Sequence, residues 1–296
     1  MPDQARHRIM IVTDSAACVP REQVEAYGIV VIPYYVIWDG QAYADGRDLS
    51  AAEFYHRFRE ARSYPTTTHP PLGAFLEVYQ KLGENCDGIV SIHLAERLTS
   101  AIRAARQAAL ELPGLPIRVV DSHTAASPEA FIVLAAARAA AQGASLEEVV
   151  AVAEACRERV GMYFAMQTLE HLRRGGRIGQ AATLLGARLR IQPVLTLREG
   201  EILPVRVTRD WQRALQQVVD QTGNTVGATP IRLAAFHADM PADANALLEQ
   251  ARQRMNVIDS HVAEFTPVVG AHTGPDIAGI AYCLEPSGTA TESERG

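Results

Sequence analysis

Residues 11–17 read IVTDSAA, and residues 119–126 read VVDSHTAA. Each is a β-rich run that stops at an Asp-Ser pair followed by small residues, the pattern of a strand giving way to a helix or turn. Around these two echoes, strands and helices alternate. Arg8–Thr13, Gly28–Ile37, Gly88–His93 and Ile117–Val120 read as strands. Ser50–Glu60 reads as a helix with Ser50 at its N-cap and Glu53 completing a capping box. Leu72–Leu82 reads as a helix entered through Pro70-Pro71, and Thr99–Leu110 as another. Ser127–Gln142 is a very apolar helix, and Ser145-Leu146-Glu147-Glu148 is a capping box that opens a helix to about Arg159. This βα alternation predicts a mostly parallel sheet covered on both faces. In such a sheet both Asp-Ser pairs fall on one edge, where ligand crevices form, so Ser15 and Ser122 are candidate ligand neighbours. Both pairs also read as plain N-caps.

After Gly161 the pattern changes. Arg190–Leu197 and Glu201–Val207 flank the residues REGE, which predicts a β-hairpin with Gly200 in its turn. A helix (Asp210–Gln221), a strand (Ile231–His237), a helix (Ala242–Met255) and strands near Ile258–Val269 and Ile277–Cys283 follow. The expectation is two α/β domains: an N-terminal α/β/α sandwich over 1–160 and a C-terminal domain with a mixed sheet over 161–285. A ligand cleft lies between them, residues 63–83 pack with the second domain, and 286–296 form a flexible tail.

The chain has 296 residues, 48% hydrophobic and 21% charged, with a formal net charge of −6. That is a globular composition, and with no basic cluster beyond Arg173–Arg177 it argues against a nucleic-acid partner. The longest apolar run, Ala125–Ala141, is broken by Glu129 and Arg138 and reads as a core helix, so no integral membrane association is expected. The N-terminus shows no apolar run of signal-peptide length. The four cysteines are scattered without a CxxC, which fits a reducing cytosol and makes a metal site improbable. A cytoplasmic location is therefore expected.

Three stretches carry groups suited to an anion. In LEHLRRGGRIG (169–179), Gly175 and Gly176 permit positive φ or close approach, and Arg177 can hold a planar carboxylate or phosphate. The same glycines also read as a helix C-cap. In GAHTGP (270–275), glycine and proline frame His272 in what reads as a tight loop between strands, where it can donate to an anion or exchange a proton. Thr66, Thr67, Thr68 and His69 precede Pro70-Pro71 and read as hydroxyls at a helix N-terminus, an anion site or an ordinary cap. No G-x-S-x-G, Walker A, G-x-G-x-x-G or H-E-x-x-H occurs, and no nucleophile–base pair is evident, so no catalytic residue is assigned.

Taken together, IVTDSAACVP (11–20), VIPYYVIWDGQAYADGRDLSAAEFY (31–55), YPTTTHPPLGAF (64–75), VVDSHTAAS (119–127), TLEHLRRGGRIG (168–179), IQPVLTLREGEI (191–202) and VVGAHTGPDIAGI (268–280) resemble the DegV family of fatty-acid-binding proteins, in order and spacing, to about residue 284. The resemblance implies a long-chain fatty acid between two α/β domains, with its tail in an apolar tunnel. It implies no cofactor, a non-catalytic role, and a separate kinase subunit that phosphorylates the presented carboxylate. By resemblance, the head group falls to Thr67, Thr68, Arg177 and His272, with His69 nearby. The family's S-S-x-L-S-G-T segment, whose serine binds the carboxylate, corresponds here to Ala95-Glu96-Arg97-Leu98-Thr99-Ser100-Ala101. Its leading hydroxyls are replaced by Ala95 and Glu96, and an ionised Glu96 facing a carboxylate repels it. This departure leaves open a different amphiphile or small anion as ligand, or, with less support, a phosphoryl- or acyl-transfer enzyme acting alone.

Overall fold

Short β-branched runs build the parallel sheet expected of the first half. The computed structural model describes residues 8–185 and 191–286, so Arg190 and all but the first residue of the predicted tail lie outside the described residues. Strands β1 (Ile9–Asp14), β2 (Val30–Ile32), β6 (Gly88–His93) and β7 (Ile117–Asp121) pair in the order β2-β1-β6-β7, all parallel. Helices α1 (Arg21–Tyr27), α3 (Leu72–Gly83), α4 (Ala101–Leu110), α5 (Ala126–Ala141) and α6 (Leu146–Arg157) accompany it. Both predicted capping boxes are formed, at Ser50 with Glu53 on α2 (Ala51–Glu60) and at Ser145 with Glu148 on α6.

The run Gly28–Ile37 is not one strand. It breaks at Pro33-Tyr34 into β2 and β3 (Tyr35–Trp38), and β3 joins a separate antiparallel sheet in the order β4-β3-β5. Its partners are β4 (Gln41–Ala44) and β5 (Thr66–Thr68). The three threonines therefore form an edge strand rather than a helix N-terminus, as their β-branching favours.

The second half builds a six-stranded sheet, β10-β9-β8-β13-β11-β12. Its strands are β8 (Val160–Met166), β9 (Gln192–Arg198), β10 (Glu201–Thr208), β11 (Ile231–Ala238), β12 (Val257–Glu264) and β13 (Ile277–Leu284). Only β11 and β12 pair in parallel, so the sheet is mixed, as expected. The β9–β10 turn uses Glu199 at φ 48° and Gly200 at φ 70°, the doubly positive geometry of a two-residue hairpin. Helices α8 (Trp211–Val226) and α9 (Pro241–Arg254) cover one face of this sheet with their own apolar core.

Two short helices complete the second half: α7 (Glu170–Arg174) and α10 (Pro267–Thr273). The expected strand to Val269 ends instead at Glu264, and His272 lies on α10 rather than in a loop. Thr266-Pro267 is the start signal, with proline at the first helical position. α10 packs against α2, β3 and β5, so an element late in the chain leans on the first half. Of residues 63–83, β5 meets α10, whereas α3 packs on α4 and β6 and belongs with the first sheet.

Helix α5, the apolar run at Ala125–Ala141, contacts β1 and β6 of the first sheet and β8 and β13 of the second. It is buried along most of its length, which explains its uniform apolarity without a membrane. Glu129 within it is fully buried, and burial pushes its carboxyl well above the usual carboxylate range. No helix among the described residues is long and apolar enough to cross a membrane.

Glycine positions give a test with opposite signs. A Cβ at Gly279 on β13 would stand 2.5 Å from Phe236 and 2.6 Å from the Phe164 side chain, in a packed core. A Cβ at Gly73 on α3 meets nothing within 4 Å. Gly279→Ala is expected to destabilise by about 2–3 kcal/mol, whereas Gly73→Ala stabilises by about 0.5–1 kcal/mol. Urea unfolding of the two variants checks both signs.

Candidate functional site

The two aspartates of the Asp-Ser echoes hold one loop between them. Asp14 is fully buried and accepts from the Leu94 N–H and, through its other oxygen, from Ala16 N–H. Asp121 accepts from the Glu96 N–H and the His123 N–H. The loop after β6, starting at Leu94, is thus slung between the ends of β1 and β7. Asp14 also lies 2.9 Å from His93 Nδ1, and His93 Nε2 lies 2.7 Å from Ser91 Oγ, which accepts from the Tyr79 hydroxyl. All four side chains lie in the interior of the first half.

The serines of the echoes are spent on the fold. Ser15 Oγ accepts from Tyr34 N–H, and Ser122 Oγ donates to the Thr124 carbonyl and accepts from Thr124 N–H. Neither lies on the wall of the cavity described next; Asp14 caps the short turn after β1, whereas α5 after the second echo has Ala125 at its N-cap and no side-chain cap.

That cavity, about 210 Å³, sits between the two halves. Leu94, Leu98, Met162, Phe164, Leu197, Ile202 and Phe265 supply apolar wall, and Thr67, Thr68, His69, Thr99, Ser100, Arg177 and His272 supply polar groups. The structure therefore brings Thr67, Thr68, His69, Arg177 and His272 to one cavity. Ala95 and Glu96 are elsewhere. They share a separate recess with Asp121, His123 and Glu199, and Glu96 pairs with Arg106 at 2.7 Å. The anticipated repulsion of a carboxylate by Glu96 is thus removed by where the side chain points.

Thr67 Oγ1 and His272 Nε2 are 2.7 Å apart, across 205 residues of sequence. Burial first, and then the nearby Arg177 charge, lower the His272 pKa to about 4, so the ring is neutral near pH 7. Its Nδ1 is buried without a hydrogen-bond partner. The Gly175 backbone stands beside that nitrogen and partly opposes the fall in pKa, and which partner donates in the Thr67–His272 contact follows the ring tautomer. With the proton on Nε2, the Thr67 hydroxyl proton is left to donate into the cavity.

Thr99 is a second such donor. Its Oγ1 accepts from the Tyr34 hydroxyl at 3.0 Å and from the Ala101 N–H at 3.2 Å, leaving its own proton free. Sequence reasoning passed over it by attending to the two leading hydroxyls of the family segment. The signal was in the same segment, whose later serine corresponds to Thr99.

Arg177 spends three of its five N–H groups on backbone: Nε and Nη2 on the Leu98 carbonyl and Nη1 on the Gly175 carbonyl. It pins the Leu98–Ser100 loop to the second half and keeps two N–H groups to spare. Arg173 and Arg174 are otherwise engaged, both pairing with Glu170, whose carboxyl these contacts pull down to about 2. Arg174 also stacks on Tyr64, 3.9 Å from the ring centroid.

The two glycines divide their labour. Gly176 takes φ 69°, while Gly175 keeps φ −71° and serves by close approach. A Cβ at Gly175 would stand 2.5 Å from His272 Nδ1. On α10, Gly270 is bare for the same kind of reason, since a Cβ there would stand 2.7 Å from Phe54 and Tyr55. Asp45, buried at the end of β4, accepts from Val268 N–H in the first turn of α10 and so steadies the helix carrying His272. Burial pushes the Asp45 carboxyl up to about 6.

The family model for uncharacterised proteins of the DegV family matches residues 8–285. The chain belongs to the DegV family. A DegV domain-containing protein of Streptomyces coelicolor is 37% identical over 278 residues, covering 93% of this chain and 98% of the relative. Among solved structures, a fatty-acid-binding DegV family protein from Thermus thermophilus superposes with a TM-score of 0.89 at 32% identity, covering 94% of this chain and 100% of that one. DegV of Bacillus subtilis, described as a fatty acid binding protein, gives a TM-score of 0.86 at 28% identity, covering 94% and 100%. The DegV fold of two α/β units is thus shared across these chains.

Asp45 and His272 make opposing contributions to pH dependence. His272 binds its proton more weakly folded than unfolded, so between about pH 6.5 and 4 its contribution to stability is lost as pH falls. Asp45 holds its proton more tightly folded, so between about pH 4 and 6 its contribution is lost as pH rises. Each is worth up to about 3 kcal/mol, and in the parent chain they offset each other. Asp45→Asn is expected to lose stability more steeply on acidification than the parent, and His272→Gln less steeply. Denaturant titrations from pH 4 to 7 check both slopes.

Proposed function

We propose that this DegV family chain binds a long-chain fatty acid in the cavity between its two halves and presents the carboxylate to a kinase subunit that phosphorylates it. The observation that carries the reading is the pairing of an apolar cavity with hydroxyl donors and an arginine at one wall. Thr67, Thr99 and the spare N–H groups of Arg177 would hold the carboxylate, with Thr68 and His69 alongside. His272 acts by orienting Thr67. The Thermus thermophilus and Bacillus subtilis relatives, described as fatty acid binding, support the same ligand class.

Magnitudes agree with this division. Each methylene buried in the cavity gains roughly 0.8 kcal/mol, and association costs take back several kcal/mol of the sum. A buried carboxylate costs several kcal/mol more unless it is hydrogen-bonded. The tail supplies affinity, and the donors fix orientation. A kinase acting on the carboxylate must reach it, which places the chemistry on the partner and leaves this chain as the carrier. Cytosol is the compartment where such a partner and ATP meet.

The decisive experiment is organic extraction of the purified protein with mass spectrometry of the lipid. A C16–C18 fatty acid is expected. If none is recovered, and added palmitate or oleate shifts neither the melting temperature nor the native mass, the reading fails. ATP turnover by the protein alone would instead make it an enzyme. Thr67→Val and Thr99→Val are each expected to weaken fatty acid retention about 5- to 50-fold, the loss of one charge-assisted hydrogen bond, and to lower ligand-free stability by about 1–3 kcal/mol, because the His272 ring or the Tyr34 hydroxyl loses its partner, whereas Thr67→Ser and Thr99→Ser keep both properties. Competition binding with a fluorescent fatty acid measures this.

A further inference from the structure

Two of the four cysteines meet away from the fatty acid cavity. Cys156 near the end of α6 and Cys283 near the end of β13 bring their sulfurs to 3.6 Å across 127 residues of sequence. Both are buried, and their other contacts are weak: the Cys156 thiol is 3.7 Å from the Phe131 carbonyl, and Cys283 is 3.8 Å from the Leu284 carbonyl. Cys18 and Cys86 are free and have no such neighbour. A disulfide has a sulfur–sulfur distance of about 2.05 Å, so each sulfur of the pair need move by only about 0.8 Å.

The pair opens onto a small cavity lined also by Arg138, Arg159 and Arg232. Arg159 is engaged by the Ala155 and Leu284 carbonyls, and Arg232 by Asp259 and Glu285. Arg138 has no partner among the described residues and leaves its charge directed at this wall. Cations beside a sulfur favour the thiolate, the form that attacks an oxidant. In keeping with this, the hydrogen bond the two thiols share, in which either sulfur can be the donor, lowers the Cys283 pKa and pushes Cys156 up.

We propose that Cys156 and Cys283 form a redox-responsive dithiol that a hydroperoxide entering this arginine-lined cavity converts to a disulfide, stapling α6 of the first half to β13 of the second. The Cys283 thiolate attacks the peroxide, breaking its O–O bond and taking one oxygen as a sulfenic acid. The other oxygen leaves as an alcohol or water. Cys156 sulfur then attacks the sulfenic sulfur, the S–S bond forms, and the second oxygen leaves as water with the two thiol protons accounted for. The sulfurs give up two electrons, and the peroxide accepts two. Nothing in this step requires the fatty acid reading to hold.

The test uses the reduced, desalted full-length protein exposed to hydrogen peroxide, with intact mass and a non-reducing peptide map. The expected result is a loss of about 2 Da, reversed by dithiothreitol, with the bond mapped between Cys156 and Cys283. The oxidised form should melt higher by about 3 °C or more, because the bond closes a long loop in the unfolded chain. Cys156→Ala and Cys283→Ala abolish the mass loss, and Cys18→Ala and Cys86→Ala retain it. Oxidation confined to Cys86, or both paired thiols remaining alkylatable after peroxide, overturns the proposal. A mapped bond with an unchanged or lowered melting temperature overturns the staple.

Discussion

The loop that follows β6 hangs from two carboxylates, and the cavity hangs from that loop. Asp14 takes the Leu94 N–H and Asp121 the Glu96 N–H, one from each end of the paired strands flanking β6. Four residues past Leu94, the Leu98 carbonyl is gripped by Arg177 from the other half of the molecule. The segment is thus fixed at both ends by charged groups, and Thr99 comes to rest against the cavity as a consequence. An unpaired buried carboxylate at Asp14 would cost several kcal/mol, and its three listening neighbours, Leu94, Ala16 and His93, remove that cost while fixing the loop's exit direction.

The polar wall follows a similar economy of atoms. Thr99 has both oxygen lone pairs occupied from behind, by Tyr34 and Ala101, and Thr67 is held from behind by His272. The Thr99 proton is therefore oriented before any anion arrives. Keeping His272 neutral matters here, because an imidazolium would add a charge to be solvated and a second N–H with no acceptor. Burial and Arg177 together secure that neutrality.

Much of this was legible from local chemistry. The two capping boxes, the Glu199-Gly200 hairpin and the apolar α5 follow from short-range preferences that tertiary packing did not oppose. The misreadings share a cause, in that a residue's role was set by its packing or ion-pair partners rather than by its immediate neighbours in sequence. Gly270 and Gly274 look like loop residues, yet Gly270 is bare because Phe54 and Tyr55 press on a helix there. The Gly28–Ile37 run looks like one strand, but its two ends enter different sheets, and only the missing N–H of Pro33 hints at the break. Glu96 looks like an intruder at a carboxylate site until Arg106 is seen to draw it aside.

The contact between Thr67 and His272 spans 205 residues, and it carries a consequence for how the chain is made. A ribosome releases Thr67 long before α10 exists, so from the completion of the first half near residue 160 until Pro267 is made the chain bears an apolar concavity without its α10 wall. At a typical ~5–20 residues per second the interval lasts on the order of ten seconds or more. Nascent chains at this stage offer a greasy hollow to chaperones and to each other. The finished pocket, by contrast, belongs to neither half, and a truncated chain ending before Pro267 inherits the hollow without the means to fill it.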